Sequence, residues 1–139
     1  MVNLAGTGID VKVSADQITD FEFGRDKVLV GLDGFNIDVP FDLSKAVTAD
    51  LTDGNFIVQL DGFANVALAA AAIAANDAIT ADEGFFIYFN TSLGFNRLIY
   101  SADLGDAGDV TVLANFVDQT GPEGLAQIAK FGLDDFLFG

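Results

Sequence analysis

The chain has no cysteine, no histidine and no tryptophan. Without cysteine there is neither a disulfide frame nor a thiolate metal site. The further lack of histidine excludes a Ser-His-Asp triad, a Cys-His nucleophile and an imidazole-held zinc or iron. Phenylalanine is plentiful, at 14 residues, while tryptophan is missing, which argues against a carbohydrate platform built on amphipathic rings. Basic residues are scarce as well: 6 against 21 acidic ones, for a net charge of −15. Such a surface opposes nucleic acid and anionic membrane and favours cationic partners or metal ions. The most apolar stretch, "FANVALAAAAIAA" from Phe63 to Ala75, is too short to span a bilayer, so no membrane insertion is expected. The start, "MVNLAGTGID", lacks the basic-then-apolar pattern of a cleaved signal, so any export is expected to proceed without an amino-terminal signal peptide.

What is present points to strands and turns. The acids are eighteen Asp and only three Glu, with 15 Gly. Asp and Gly favour turns, caps and hard-cation coordination, whereas Glu is the helix former. Strands are expected over "GIDVKVS" (Gly8 to Ser14) and "DKVLVGL" (Asp26 to Leu32), with a turn at Gly24 between them. "DGFNIDVPF" (Asp33 to Phe41) and "DGNFIVQLDGF" (Asp53 to Phe63) each open on an Asp-Gly turn signal, and the second places Phe56, Val58 and Leu60 on one side. Asn65 to Ala75 reads as one buried helix, and Thr80 with Glu83 as a capping box for a single turn. A hairpin follows, Phe85 to Phe89 and Arg97 to Ser101 around a turn at Asn90 to Gly94, with Asp109 to Phe116 as the strand beside it. The set Phe85, Phe86, Phe89, Phe95 and Tyr100 fits the buried face of that hairpin. Thr120, Pro122 and Glu123 start a short helix that Gly132 stops. The expected fold is mainly β, a β-sandwich or β-roll-like arrangement with one or two short helices, with α+β as the alternative. A chain of 139 residues with no linker or low-complexity run reads as a single domain.

The segment "DQITDFEFGRDKVLV" alternates acids with apolar residues. It resembles the stretch that follows the calcium-binding repeats of RTX, or haemolysin-type, secreted bacterial proteins, with Asp16, Ile18, Asp20, Phe21, Gly24, Asp26 and Val28 at the matching places. Just before it, "AGTGIDVKV" is similar to one copy of the glycine-rich nonapeptide: Gly6, Gly8 and Asp10 match, while Ala5 and Lys12 depart. Such repeats need about three copies to stack, so one copy does not imply a β-roll with cooperative ion binding. "FFIYFNTSLGFNRLIYSADLGDAGDVTVLANF" resembles the carboxy-terminal hairpin module of RTX-like proteins. The resemblance divides the domain into a repeat-remnant and cap-like segment, 1–32, and a β-rich carboxy-terminal module, 33–139. It implies that Ile18, Phe21, Phe23, Val28 and Val30 cover a sheet end while the acids face solvent or an ion.

Two groups of acids are candidates for Ca²⁺. The loop "SADLGDAGDV" sets Asp103, Asp106 and Asp109 around Gly105 and Gly108, and lacks the spacing and terminal Glu of an EF-hand. The other group joins Asp10 with Asp16, Asp20 or Asp26. "TADLTDGN", with Asp50, Asp53 and Asn55, reads as a turn. The final "LDDFLFG" resembles the export signature of RTX proteins, an acid followed by apolar residues, carried here by Asp135, Phe136, Leu137 and Phe138, with Gly139 as a departure.

The function expected from these residues is non-enzymatic: a calcium-associated module of a secreted or cell-surface RTX-like protein, supporting folding, export or surface attachment. A metal-free module that self-associates through its β edges is the alternative. Nothing singles out a pair of carboxylates for glycoside hydrolysis from the 21 acids.

Overall fold

The computed structural model describes residues 2–4, 16–30, 41–106 and 110–138. Within them the chain is mostly β with two short α-helices. The strands are β1 (Val2–Leu4), β2 (Asp16–Ile18), β3 (Val28–Val30), β4 (Leu43–Ala46), β5 (Phe56–Phe63), β6 (Gly84–Asn90), β7 (Phe95–Ser101), β8 (Val110–Thr120) and β9 (Phe136–Phe138). The helices are α1 (Val66–Ala74) and α2 (Gly121–Gln127). Six strands form one sheet in the order β2-β8-β7-β6-β5-β4, and three form another in the order β1-β3-β9.

The hairpin β6–β7 and its neighbour β8 are antiparallel, as the sequence suggests. Its turn is set by local chemistry: Asn90 Oδ1 accepts the N–H groups of Ser92 and Leu93 at 3.0 and 2.8 Å, and Gly94 takes a φ of +85°. The remaining strand pairings are parallel, β4 on β5, β5 on β6, β2 on β8, and both pairs of the small sheet. A parallel pair cannot be joined by a tight turn, and α1 is the crossover that carries the chain from β5 back to the start of β6. Asn65 caps that helix by accepting from Leu68 N–H at 2.9 Å, and its alanines favour it intrinsically.

Successive side chains of a strand point to opposite faces, and every residue of β6 is buried, so the large sheet is covered on both sides. One face, with Phe56, Val58, Phe85, Ile87, Leu98, Tyr100 and Phe116, packs against Val28, Val30, Ile128, Phe131 and Phe136. The other, with Ile57, Phe86, Tyr88 and Ile99, packs against Ala69, Ala70 and Ile73 of α1.

Two expectations are corrected. Thr80–Glu83 forms no helical turn: the Thr80 hydroxyl and N–H both donate to the Asp53 carboxylate, at 2.5 and 2.7 Å, and this partner displaces the expected capping box. The turn expected at Gly24 is present, with φ +81°, and carries the chain from β2 in the large sheet to β3 in the small one, so that Ile18 and Val28 enter one core from two layers. The last helix is shorter than expected: α2 tightens into a 3-10 turn over Ile128–Lys130, and the chain is extended again at Phe131, ahead of Gly132. The strand expected at Gly8–Ser14 and the hairpin opening at Asp33 lie outside the described residues, apart from Phe41.

Candidate functional site

Between Asp16 and Val30 the two kinds of residue separate. Ile18, Phe21, Val28 and Val30 are buried, and Phe23 packs on the core with its ring 4.8 Å from that of Phe131. Asp20 and Glu22 are exposed, while Asp16 and Asp26 are half-buried. Asp26 closes the turn by accepting from Glu22 N–H at 3.0 Å, and Arg25 pairs with Glu22 at 3.3 Å. The parallel pairing of β2 on β8 also brings Asp118 beside Asp20. Although Asp118 is exposed, partial desolvation, with a smaller push from the Asp20 charge, raises its carboxyl above its ordinary value. Sequence reasoning missed Asp118, and only the neighbouring chain segment reveals it.

The second acidic group lies on a turn after β7. Leu104 is buried and its N–H donates to Asp82 O at 2.6 Å, anchoring the turn. Asp103 Oδ1 accepts from Gly105 N–H at 2.9 Å, and Asp106 N–H donates to Asp103 O at 3.3 Å, so Asp103 and Asp106 share one exposed turn. Beside it the Tyr100 hydroxyl donates to Glu83, and burial together with that carboxylate pushes the phenol well above its ordinary value. Asp109 and Asp10 lie outside the described residues. Among the described residues no three or more acidic side chains converge as a metal-holding group; Asp16, Asp20 and Asp26 do not meet at one point. In "TADLTDGN" Asp53 is structural, whereas Asp50 is exposed. Asp53 is held below the usual carboxylate range by the Thr80 hydroxyl and N–H, and Asn55 Oδ1 accepts from Asp42 N–H at 2.8 Å.

The chain end is part of the core. Phe136 is buried, its ring 4.9 Å from Phe56 and 6.0 Å from Phe131, and β9 runs parallel to β3. Asp135 is buried and accepts from Gly132 N–H at 2.9 Å; burial raises its pKa in spite of that bond and of Lys27 and Lys45 nearby. Lys27 donates to Asp134 O, and Lys45 donates to Ala129 O and Phe131 O, both at 2.8 Å. Leu137 is exposed.

Of the expected face of the hairpin, Phe85, Phe89 and Tyr100 are buried together in one core, whereas Phe86 is buried on the opposite face against α1 and Phe95 is half-buried. Among the described residues no helix is long and apolar enough to cross a membrane. Compared with protein-family models, curated proteins and solved structures, the chain matches none.

Proposed function

We propose that this chain is a non-enzymatic, calcium-associated module of a secreted or cell-surface protein of the RTX type, acting in folding, export or attachment. The observation that carries the reading is the sorting of Asp16–Val30: the residues that resemble a post-repeat cap bury Ile18, Phe21, Val28 and Val30 and leave Asp20 and Glu22 in solvent. The exposed turn with Asp103 and Asp106 adds carboxylates on a backbone that two hydrogen bonds hold in place. An ion arriving there would find carboxylates on an exposed, oxygen-rich turn, the usual chemistry of Ca²⁺. It would also relieve part of the self-repulsion of a chain with net charge −15.

A thermal melt in millimolar Ca²⁺ against chelator tests this, because an ion that binds only the folded chain raises the midpoint by mass action. The expected result is a rise with Ca²⁺ that shrinks in Asp103→Asn/Asp106→Asn and stays absent with Na⁺ at equal ionic strength. Identical midpoints in Ca²⁺ and chelator would remove the metal from the reading. The export role is tested separately by deleting Asp135 to Gly139: the truncated chain should stay inside the producing cell. Since Phe136 and Asp135 are buried, the tail would have to be read before folding.

A further inference from the structure

On the face of the sheet that carries α1, an open pocket of about 400 Å³ lies between the 3-10 turn Thr48–Asp50 and the last turn of the helix. Thr48, Ala49, Ala72, Ala75, Asn76 and Asp77 line it. Its shape is braced: Asn76 Nδ2 donates to Thr48 O at 2.9 Å, and the Thr48 hydroxyl and N–H donate to Asp61 Oδ1 at 2.6 and 3.2 Å. Behind Thr48 the fully buried Gln59 donates to the Thr48 hydroxyl at 3.3 Å and to Ala69 O at 3.2 Å, and its Oε1 has no hydrogen-bond partner.

The pocket therefore has two characters. Three alanine methyl groups make an aliphatic slot, and its end is negative. Asp77 is an exposed carboxylate, Asp50 is exposed on the adjoining turn, and the carbonyl end of α1 carries a partial negative charge with no basic residue in its last turn. The cations among the described residues are engaged elsewhere. Arg25 pairs with Glu22, Lys27 and Lys45 donate to main-chain carbonyls, Arg97 donates to Asn115, and Lys130 lies over the Phe23 ring. Those are the five described basic residues of the six in the chain, and a second copy with the same −15 charge is repelled. A long aliphatic stem ending in a positive charge complements the slot, since lysine and arginine bury their stems on apolar surface while keeping the head polar.

We propose that this pocket receives a lysine or arginine side chain of a basic polypeptide partner, the stem along Ala49, Ala72 and Ala75 and the charged head at Asp77. The proposal is independent of the calcium reading, because it uses another surface. The test is a titration of the ¹⁵N-labelled full chain, in chelator and low salt, with a synthetic peptide of alternating lysine and alanine. Amide shifts should concentrate at Ala49, Ala72, Ala75, Asn76 and Asp77. A peptide with norleucine in place of lysine should leave them unmoved. Asp77→Asn removes an exposed carboxylate without touching the core, and should weaken binding by up to about fivefold, the range of an exposed ion pair. Asp20→Asn makes the same charge change beyond β2, at the opposite edge of the sheet, and should weaken binding less than Asp77→Asn does. Shifts spread evenly over the exposed acids, equal losses in the two variants, equal binding of the norleucine peptide or no binding at all would each overturn it.

Discussion

On one face of the six-stranded sheet the rings of Phe56 and Phe116 meet those of Phe136, Phe21 and Phe131, which come from both ends of the chain; on the other, Ile57, Phe86 and Ile99 meet Ala69, Ala70 and Ile73 of a helix that directly follows β5. The aromatic face is thus closed by long-range assembly and the alanine face by a local crossover. Large rings from distant segments interlock and cannot slide past one another, whereas a smooth helix of small residues can settle against the sheet with little rearrangement. The two faces should therefore respond differently to the same kind of injury.

The largest effect is expected at Phe131, which is fully buried and sits 4.8 to 6.0 Å from the rings of Phe21, Phe23, Phe116 and Phe136. Phe131→Ala should cost about 3–5 kcal/mol in urea unfolding. A smaller loss is expected on the alanine face. Ile73→Ala should fall near 2 kcal/mol, the low end for such a truncation, because α1 can close the gap. Equal losses at the two positions would break the comparison. Next comes Asn65→Ala, which removes the cap of α1 and should cost about 1 kcal/mol, while Asn65→Asp retains most of it.

The smallest effects concern pH, and they have opposite signs. The Asp135 carboxyl is raised by burial, so its contribution is most favourable below the unfolded value and is lost as pH rises through the folded one. Asp135→Asn, which can still accept from Gly132 N–H, should leave the chain as stable or more stable at neutral pH and flatten the pH profile on the alkaline side of the ordinary carboxylate range. Asp53 is lowered by Thr80, so its contribution is present above the unfolded value and is lost as pH falls through the folded one. Asp53→Asn should flatten the acid side instead. Melts of both variants between acid and neutral pH check the two signs, and profiles that moved together would contradict them.

Much of this architecture is legible in the residues. The turn at Asn90–Gly94 between two aromatic runs, the strand after Gly108 and the alanine run behind Asn65 are each specified by neighbours a few positions apart, and each forms where the pattern puts it. The parallel pairings were not legible as such. A hint lay in the unbroken apolar run of β6, since a strand buried on both faces shows no alternation. Of the candidate site, the apolar half of Asp16–Val30 was readable from its period, but the proximity of Asp20 to Asp118 was not, because it depends on β2 pairing with β8.

By itself, then, the sequence determined the strand-and-turn character of the chain, the place of its hairpin and its main helix, the surplus of surface charge and the exclusion of histidine and cysteine chemistry, because composition and short-range periodicity act within a few residues. Tertiary structure alone decided which strands are neighbours, that the chain end is buried on β3, that two lysines hold its carbonyls, and that a negative, alanine-walled pocket opens at the end of α1. Each of these joins segments far apart in the chain, and the shared burial that brings such segments together leaves no mark on either one alone.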